Sequence, residues 1–173
     1  LSGYLYKNAN SWSLVRSAQA ANGFVDSNYF TVLQSGNAIG SSNNDLVDNS
    51  FTINRPYLFF DTSVIPEDSL VTSAKLEIGL FNVNTSIINT HGNAEDFVSV
   101  VRSDLESPPV IKKSDYSKFS GFEISDSRLD ISNLQGSFRE MYYNASFDLN
   151  SEGVKIINKS GWTSVGLRTG YDL

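Results

Sequence analysis

At 173 residues, 40% hydrophobic and 18% charged, the chain is long enough to bury one sizeable core and too apolar for a disordered segment. A net charge of -6 repels phosphate backbones, so nucleic-acid binding would need a local basic patch, and Lys112-Lys113 is too short to make one. Cysteine is absent, which excludes disulfides, thiolate catalysis and thiolate metal sites.

The first strand signal is the short run Tyr4-Leu5-Tyr6. A short helix is expected between Ser11 and Ala21, with Trp12, Val15 and Ala18 on its buried side. Tyr29-Phe30-Thr31-Val32-Leu33 and Ser50-Phe51-Thr52-Ile53 are weak strand candidates, separated by a polar loop from Ser35 to Asn49. Tyr57-Leu58-Phe59-Phe60 is a short apolar run that reads as a strand buried on both faces. Pro56 cannot donate to a ladder and is expected at that strand's start. Ile65-Pro66-Glu67-Asp68 then reads as a turn, which Asp68 or Ser69 can close with a side-chain hydrogen bond.

From Ala74 to Phe81, the apolar residues Ala74, Leu76, Ile78 and Leu80 alternate with Lys75, Glu77 and Gly79. Period two over eight residues predicts a strand with one wet and one dry face. A second polar loop covers Asn82 to Glu95. Phe97-Val98-Ser99-Val100-Val101, Ala145-Ser146-Phe147-Asp148-Leu149 and Trp162 to Arg168 complete the strands, with a single turn near Ser114-Asp115-Tyr116. The one well-signalled helix runs from an Asn150 or Ser151 cap to Gly161, with Val154, Ile156 and Ile157 as its apolar face.

Many short strands divided by polar turns, with no internal repeat and no linker, predict a single all-β domain over residues 1–173. Its long crossing loops suit a Greek-key or jelly-roll sandwich of two antiparallel sheets, with one or two short helices. The chain does not begin with Met and shows no signal peptide, so it is expected to be a processed product or a module of a larger protein. No apolar run approaches the ~18 residues that span a bilayer, and no membrane insertion is expected.

The stretch Arg55-Pro56-Tyr57-Leu58-Phe59-Phe60-Asp61-Thr62-Ser63-Val64-Ile65-Pro66, followed by Ser73-Ala74-Lys75-Leu76, resembles the DNRLRE-type β-sandwich domains. The closing pattern is similar too: Phe147-Asp148-Leu149-Asn150, Gly153, Ile156-Ile157-Asn158, Gly161, Thr163, Gly166-Leu167-Arg168 and Asp172. Gly3-Tyr4, Ser11-Trp12 and Arg16 resemble the opening of a phage and environmental subset. The resemblance implies a jelly-roll module of secreted, cell-surface or virion proteins, some members of which bind acidic polysaccharides such as alginate. Family members usually run one strand past the final Asp, so a strand trimmed here or supplied by a neighbour is the expectation.

Read physically, Asp61 can accept backbone N–H bonds from the turn after its strand and fix the corner. Arg55 and Arg168 flank buried strands, where each can pair with a carboxylate such as Asp61 or Asp172 or lie along apolar surface. Arg55, Asp61, Pro66, Gly161 and Arg168 are therefore expected to be structural residues of the motif.

No nucleophile elbow, phosphate loop or paired-histidine motif is present, and no catalytic residue or cofactor is assigned. His91, the single histidine, sits in a loop without an identifiable partner. Asn43, Asp45 and Asp48 put hard oxygen ligands suited to calcium in one loop, although the spacing is not that of an EF-hand and such residues also form turns. For a glycan, the candidate contacts are the aromatic pair Tyr142-Tyr143 and the cations Lys112, Lys113 and Arg139. Sequons occur at Asn84, Asn144 and Asn158, as chance allows in an Asn- and Ser-rich chain. The expected role is a non-catalytic structural or adhesive module at a cell surface, filament or virion, pairing with its own copies or other surface proteins. Carbohydrate binding is the alternative.

Overall fold

The computed structural model describes residues 2–26, 33–35, 51–80, 97–131, 143–170 and 172–173. Among these residues, ten strands form two antiparallel sheets. They are β1 (Ser2–Ala9), β2 (Gly23–Asp26), β3 (Leu33–Ser35), β4 (Phe51–Asp61), β5 (Lys75–Leu80), β6 (Phe97–Ser103), β7 (Phe119–Glu123), β8 (Leu129–Asp130), β9 (Tyr143–Asp148) and β10 (Trp162–Thr169). Two five-residue helices, α1 (Trp12–Arg16) and α2 (Ser151–Lys155), and a 3-10 segment (Lys113–Lys118) accompany them.

The large sheet has the order β2-β1-β4-β10-β6-β7, with β3 added to β4 and β8 to β6; the small sheet pairs β5 with β9. Successive strands β4, β5 and β6 alternate between sheets, and so do β9 and β10. The late strand β10 lies between β4 and β6, while its predecessor β9 lies beside β5. This interleaving is jelly-roll order, and the molecule is the all-β sandwich that the strand pattern predicts.

Side-chain alternation divides the core in two. Leu58, Val98, Val100, Val165 and Leu167 point from the large sheet onto Leu76 and Ile78 of β5 and Ala145 and Phe147 of β9. The opposite face carries Leu5, Ile53, Tyr57, Phe59 and Val101, covered by Val15 of α1 and by Ile111, Tyr116 and Phe119. The large sheet is thus buried on both faces along Tyr57-Leu58-Phe59, which explains their unbroken apolar run, whereas Phe60, expected to be buried with them, is 42% exposed near the strand's end. The small sheet has one wet face and shows the clean alternation of β5.

Several element bounds differ from the sequence reading for physical reasons. Of the candidates Ser50–Ile53 and Tyr57–Phe60, the described residues Phe51–Ile53 and Tyr57–Phe60 are not two strands: they belong to one eleven-residue strand, and Pro56 lies in its interior. On one edge, β4 pairs continuously with β1 from Phe51 to Leu58. The other edge is shared, because β3 takes Thr52–Asn54 and β10 takes Tyr57–Asp61. Pro56, which has no N–H to offer, falls where the edge changes partner.

The helices are shorter than predicted. Ser11 Oγ accepts from Leu14 N at 3.4 Å to start α1, but its end is marked by Ser17 Oγ donating to the Ser13 carbonyl. Ala21 N then bonds the Lys113 carbonyl at 2.8 Å and pulls the chain away. Asn150 Oδ1 starts α2 by accepting from Glu152 N and Gly153 N, both at 3.0 Å. Asn158 commits its backbone N–H to Thr163 Oγ1 at 2.9 Å, so the helix closes at Lys155 instead of running toward Gly161. The Tyr29–Leu33 candidate and the loops Ser35–Asn49 and Asn82–Glu95 lie largely outside the described residues. Strand β2 and the irregular strands β7 and β8 carry no period-two pattern long enough to read.

Candidate functional site

The most developed polar constellation lies under the covered face of the large sheet, where β4 and β10 separate. Their last register pair is Tyr57 with Gly166. Two residues further, the same register would set Arg55 directly opposite Arg168, an arrangement of like charges that neither strand tolerates alone. A turn after β10, in which Asp172 N and Leu173 N bond the Thr169 carbonyl at 3.0 and 3.1 Å, brings Asp172 between them.

Arg55 grips Asp172 with a fork: Nε donates to Oδ2 and Nη2 to Oδ1, each at 2.8 Å. Arg168 Nε donates to the same Oδ2 at 2.8 Å, and Arg168 Nη2 donates to the Asp172 carbonyl. The remaining donors are used on backbone. Arg55 Nη1 reaches the Tyr116 carbonyl at 2.7 Å, and Arg55 Nη2 also reaches the Arg16 carbonyl at 3.0 Å. Arg168 Nη1 takes the Phe119 carbonyl at 3.4 Å. The Arg55 guanidinium lies 4.0 Å over the Tyr116 ring, and Arg16 Nη2 bonds the Leu173 carbonyl at 3.0 Å.

Arg55, Arg168, Asp172 and Tyr116 are all buried. Burial pushes the Asp172 carboxyl up, but the hydrogen bonds and charges of Arg55 and Arg168 outweigh it and hold the group below the usual carboxylate range. Burial likewise opposes the Arg55 charge, and Asp172 restores it and raises its pKa. Burial raises the Tyr116 phenol, against which the Arg55 charge acts. Chemically the cluster is an ion lock: a carboxylate held by two guanidinia, with their donors turned to fixed partners.

The other end of the same strand pair is a corner. Trp162 pairs with Asp61, and Thr62 N bonds the Gly161 carbonyl at 3.1 Å. Thr62 Oγ1 lies 2.6 Å from the Asn158 carbonyl and 2.7 Å from Thr163 Oγ1. Asp61 does not pair with either arginine; it is exposed, and its Oδ1 accepts from Ser63 N at 3.1 Å and Ser63 Oγ at 2.6 Å. Those two bonds, the hydroxyl's first, hold Asp61 below the usual carboxylate range. The Pro66 carbonyl accepts from Ser69 N and Ser69 Oγ, and Lys159 Nζ donates to the carbonyls of Glu67 and Ser69. Arg55 and Arg168 thus meet at one end, and Asp61, Pro66 and Gly161 at the other.

A third feature joins the sheets. Between Phe119 and Glu123, the β7 strand bulges against β6, and a second irregularity follows before Leu129 pairs with Val98. Across this stretch Ser125 bridges Leu149, Asn150 N bonds the Ile124 carbonyl at 3.0 Å and Asp126 N bonds the Asp148 carbonyl at 2.9 Å. The chain beyond β6 is therefore stitched to the end of β9. Phe122 stands out of the bulge, 77% exposed.

Of the glycan candidates, Lys112, Lys113 and Tyr143 are among the described residues. Lys112 and Lys113 are exposed at the start of the 3-10 segment, where Lys112 N bonds Asp115 Oδ2 at 2.7 Å. Nearby cations meet acids, Arg102 with Asp104 at 2.7 Å and Lys118 with Glu106 at 3.5 Å. Tyr143 shares the inward side of β9 with Ala145 and Phe147 but sits at the strand's end, 46% exposed. Asn43, Asp45, Asp48, His91, Arg139 and Tyr142 lie outside the described residues. Among the described residues, no group of three His, Asp or Glu side chains is placed to hold a metal ion. Sequence reasoning missed Tyr116, Lys159 and the Tyr57–Asp26 pair. What pointed toward the ion lock was the position of Arg55 and Arg168 beside buried strands, where each can pair with a carboxylate such as Asp61 or Asp172; both take Asp172. No family model, curated protein or solved structure matches the chain.

Proposed function

We propose that this domain is a non-catalytic structural or adhesive module of an extracellular filament, cell-surface protein or virion, acting through protein–protein contacts. The observation that carries the reading is the loop between β4 and β5. It is pinned by Lys159, Thr62 and Ser69, yet it leaves Val64 and Leu70 bare, 83% and 85% exposed. Apolar side chains held out on a fixed backbone have already lost the freedom that binding would otherwise cost. The seam beyond β6 argues that contacts run through such loops instead of through that sheet edge. The DNRLRE-like motif accords with a module of this kind. Size-exclusion chromatography with light scattering, with and without calcium, tests assembly with its own copies. Concentration-dependent association that a Val64→Ser, Leu70→Ser variant abolishes supports it, and a strict monomer across a wide concentration range refutes it.

The second reading is carbohydrate binding. Its support is the outer face of the small sheet, where Glu77, Ser146, Asn144 and Asp148 present hydrogen-bonding groups around the side-chain-free Gly79. Affinity electrophoresis on alginate and neutral glycans decides it: retardation lost in an Asn144→Ala, Ser146→Ala variant supports this face, and no retardation on any polymer rejects it.

A further inference from the structure

We propose that the turn in which Asp172 N and Leu173 N bond the Thr169 carbonyl is a releasable clasp, locked by the single carboxylate of Asp172, and that neutralising this group frees the end of β10 while the β5–β9 half stays folded. The geometry makes the response local. Asp172 holds Arg55 on β4 and Arg168 on β10 at a place where these strands no longer pair. Among the described residues, the other charged or titratable groups beside it are Tyr116 of the 3-10 segment and, through the Leu173 carbonyl, Arg16 of α1. Without the carboxylate, the two guanidinia would face one another in a buried site, an arrangement that breaks open rather than persists. Among the described residues, the backbone bonds of the turn include Gly170 N to the Phe97 carbonyl and the two amides on the Thr169 carbonyl, next to the β10–β6 ladder that ends where Thr169 pairs with Val98. By contrast, β5 and β9 hold six register pairs and pack in the core on the other face of the large sheet.

The direction of the pH response follows from the arginines. Asp172 is held below its ordinary value of 3.8, so the lock is complete above that pH and fails as pH falls through the depressed folded value. Amide hydrogen exchange by mass spectrometry tests the clasp in two ways. In Asp172→Asn at neutral pH, amides of residues 166–173 are expected to exchange about a hundredfold faster, with β5 and β9 unchanged. Adding Arg168→Met to that variant should recover part of the protection by removing the unpaired charge. In the wild-type chain, stepping down in pH should open the same segment first. A uniform rise across all strands, no change in residues 166–173, or acid opening that begins in β5 or β9 would overturn the proposal.

Discussion

Lys159 reaches back 90 residues to donate its ammonium to the Ser69 carbonyl at 2.8 Å, and the same nitrogen donates to the Glu67 carbonyl. One flexible side chain therefore ties down the far half of the loop that presents Val64 and Leu70, which Thr62 and Ser69 also pin. Lys159→Met keeps the stem and removes the donors. It is expected to cost about 1 kcal/mol, the partly exposed site discounting the usual worth of a charged hydrogen bond. Exchange at residues 66–70 should rise while the ion lock stays protected. An unchanged exchange pattern would count against the anchoring role.

Gly166 faces Phe119 across the covered side of the large sheet. A Cβ there would strike the Phe119 ring and come within 3.2 Å of Val101 Cγ2. Both neighbours are buried, so neither can swing away. Gly166→Ala is expected to destabilise by about 1–3 kcal/mol through overpacking, measurable by denaturant unfolding. Gly79, whose Cβ would meet, among the described residues, only Asn144 Oδ1 at 3.9 Å, is the control and should tolerate alanine.

Tyr57 donates its hydroxyl to Asp26 Oδ1, and its ring lies over Gly3. Burial first, then the Asp26 hydrogen bond and charge, push the Tyr57 phenol above its ordinary value of 10.0, and burial does the same to Tyr116. For groups raised in the folded state, stability is complete below pH 10 and is lost as pH climbs through the folded values. Phenolate absorbance should therefore show Tyr57 and Tyr116 ionising late, together with unfolding. The Tyr57→Phe, Tyr116→Phe variant should lose less stability between neutral and alkaline pH than the wild-type chain.

Asn150 acts twice. Its Oδ1 caps α2, and its Nδ2 donates to the Glu123 carbonyl at 3.3 Å across the seam. Asn150→Ala is expected to cost about 1–2 kcal/mol, and Asn150→Asp less, because the aspartate keeps the cap and loses only the cross-seam bond. Thermal unfolding of the two variants separates these contributions. Equal losses would mean that the cap contributes nothing.

What the residues disclosed depended on how many faces each element buries. The β5 alternation was readable because the small sheet keeps one side wet, so Leu76 and Ile78 stand apart from Lys75 and Glu77. In β4 the signal was ambiguous, since both faces are covered and Pro56 looked like a boundary. Only the change of partner from β3 to β10 explains why it is not one. The bulged path from Phe119 to Asp130 has no period for a pattern to reveal, and its bonds go to residues near 149. Arg55 could be marked as needing a carboxylate, but the choice of Asp172 over Asp61 depends on the turn after β10.

Strand β4 takes its neighbours from residues 2–9, 33–35 and 162–166, so its two long edges belong to opposite ends of the chain. Pairings this distant gain nothing until a long loop has closed, which places the molecule among slow folders. During synthesis, Tyr57, Leu58 and Phe59 emerge more than a hundred residues before β10 can cover them. Pro56, placed where it leaves β4 a donor short, also blunts that waiting strand against other chains. A residue at that position bearing an N–H would leave the nascent chain more prone to aggregate.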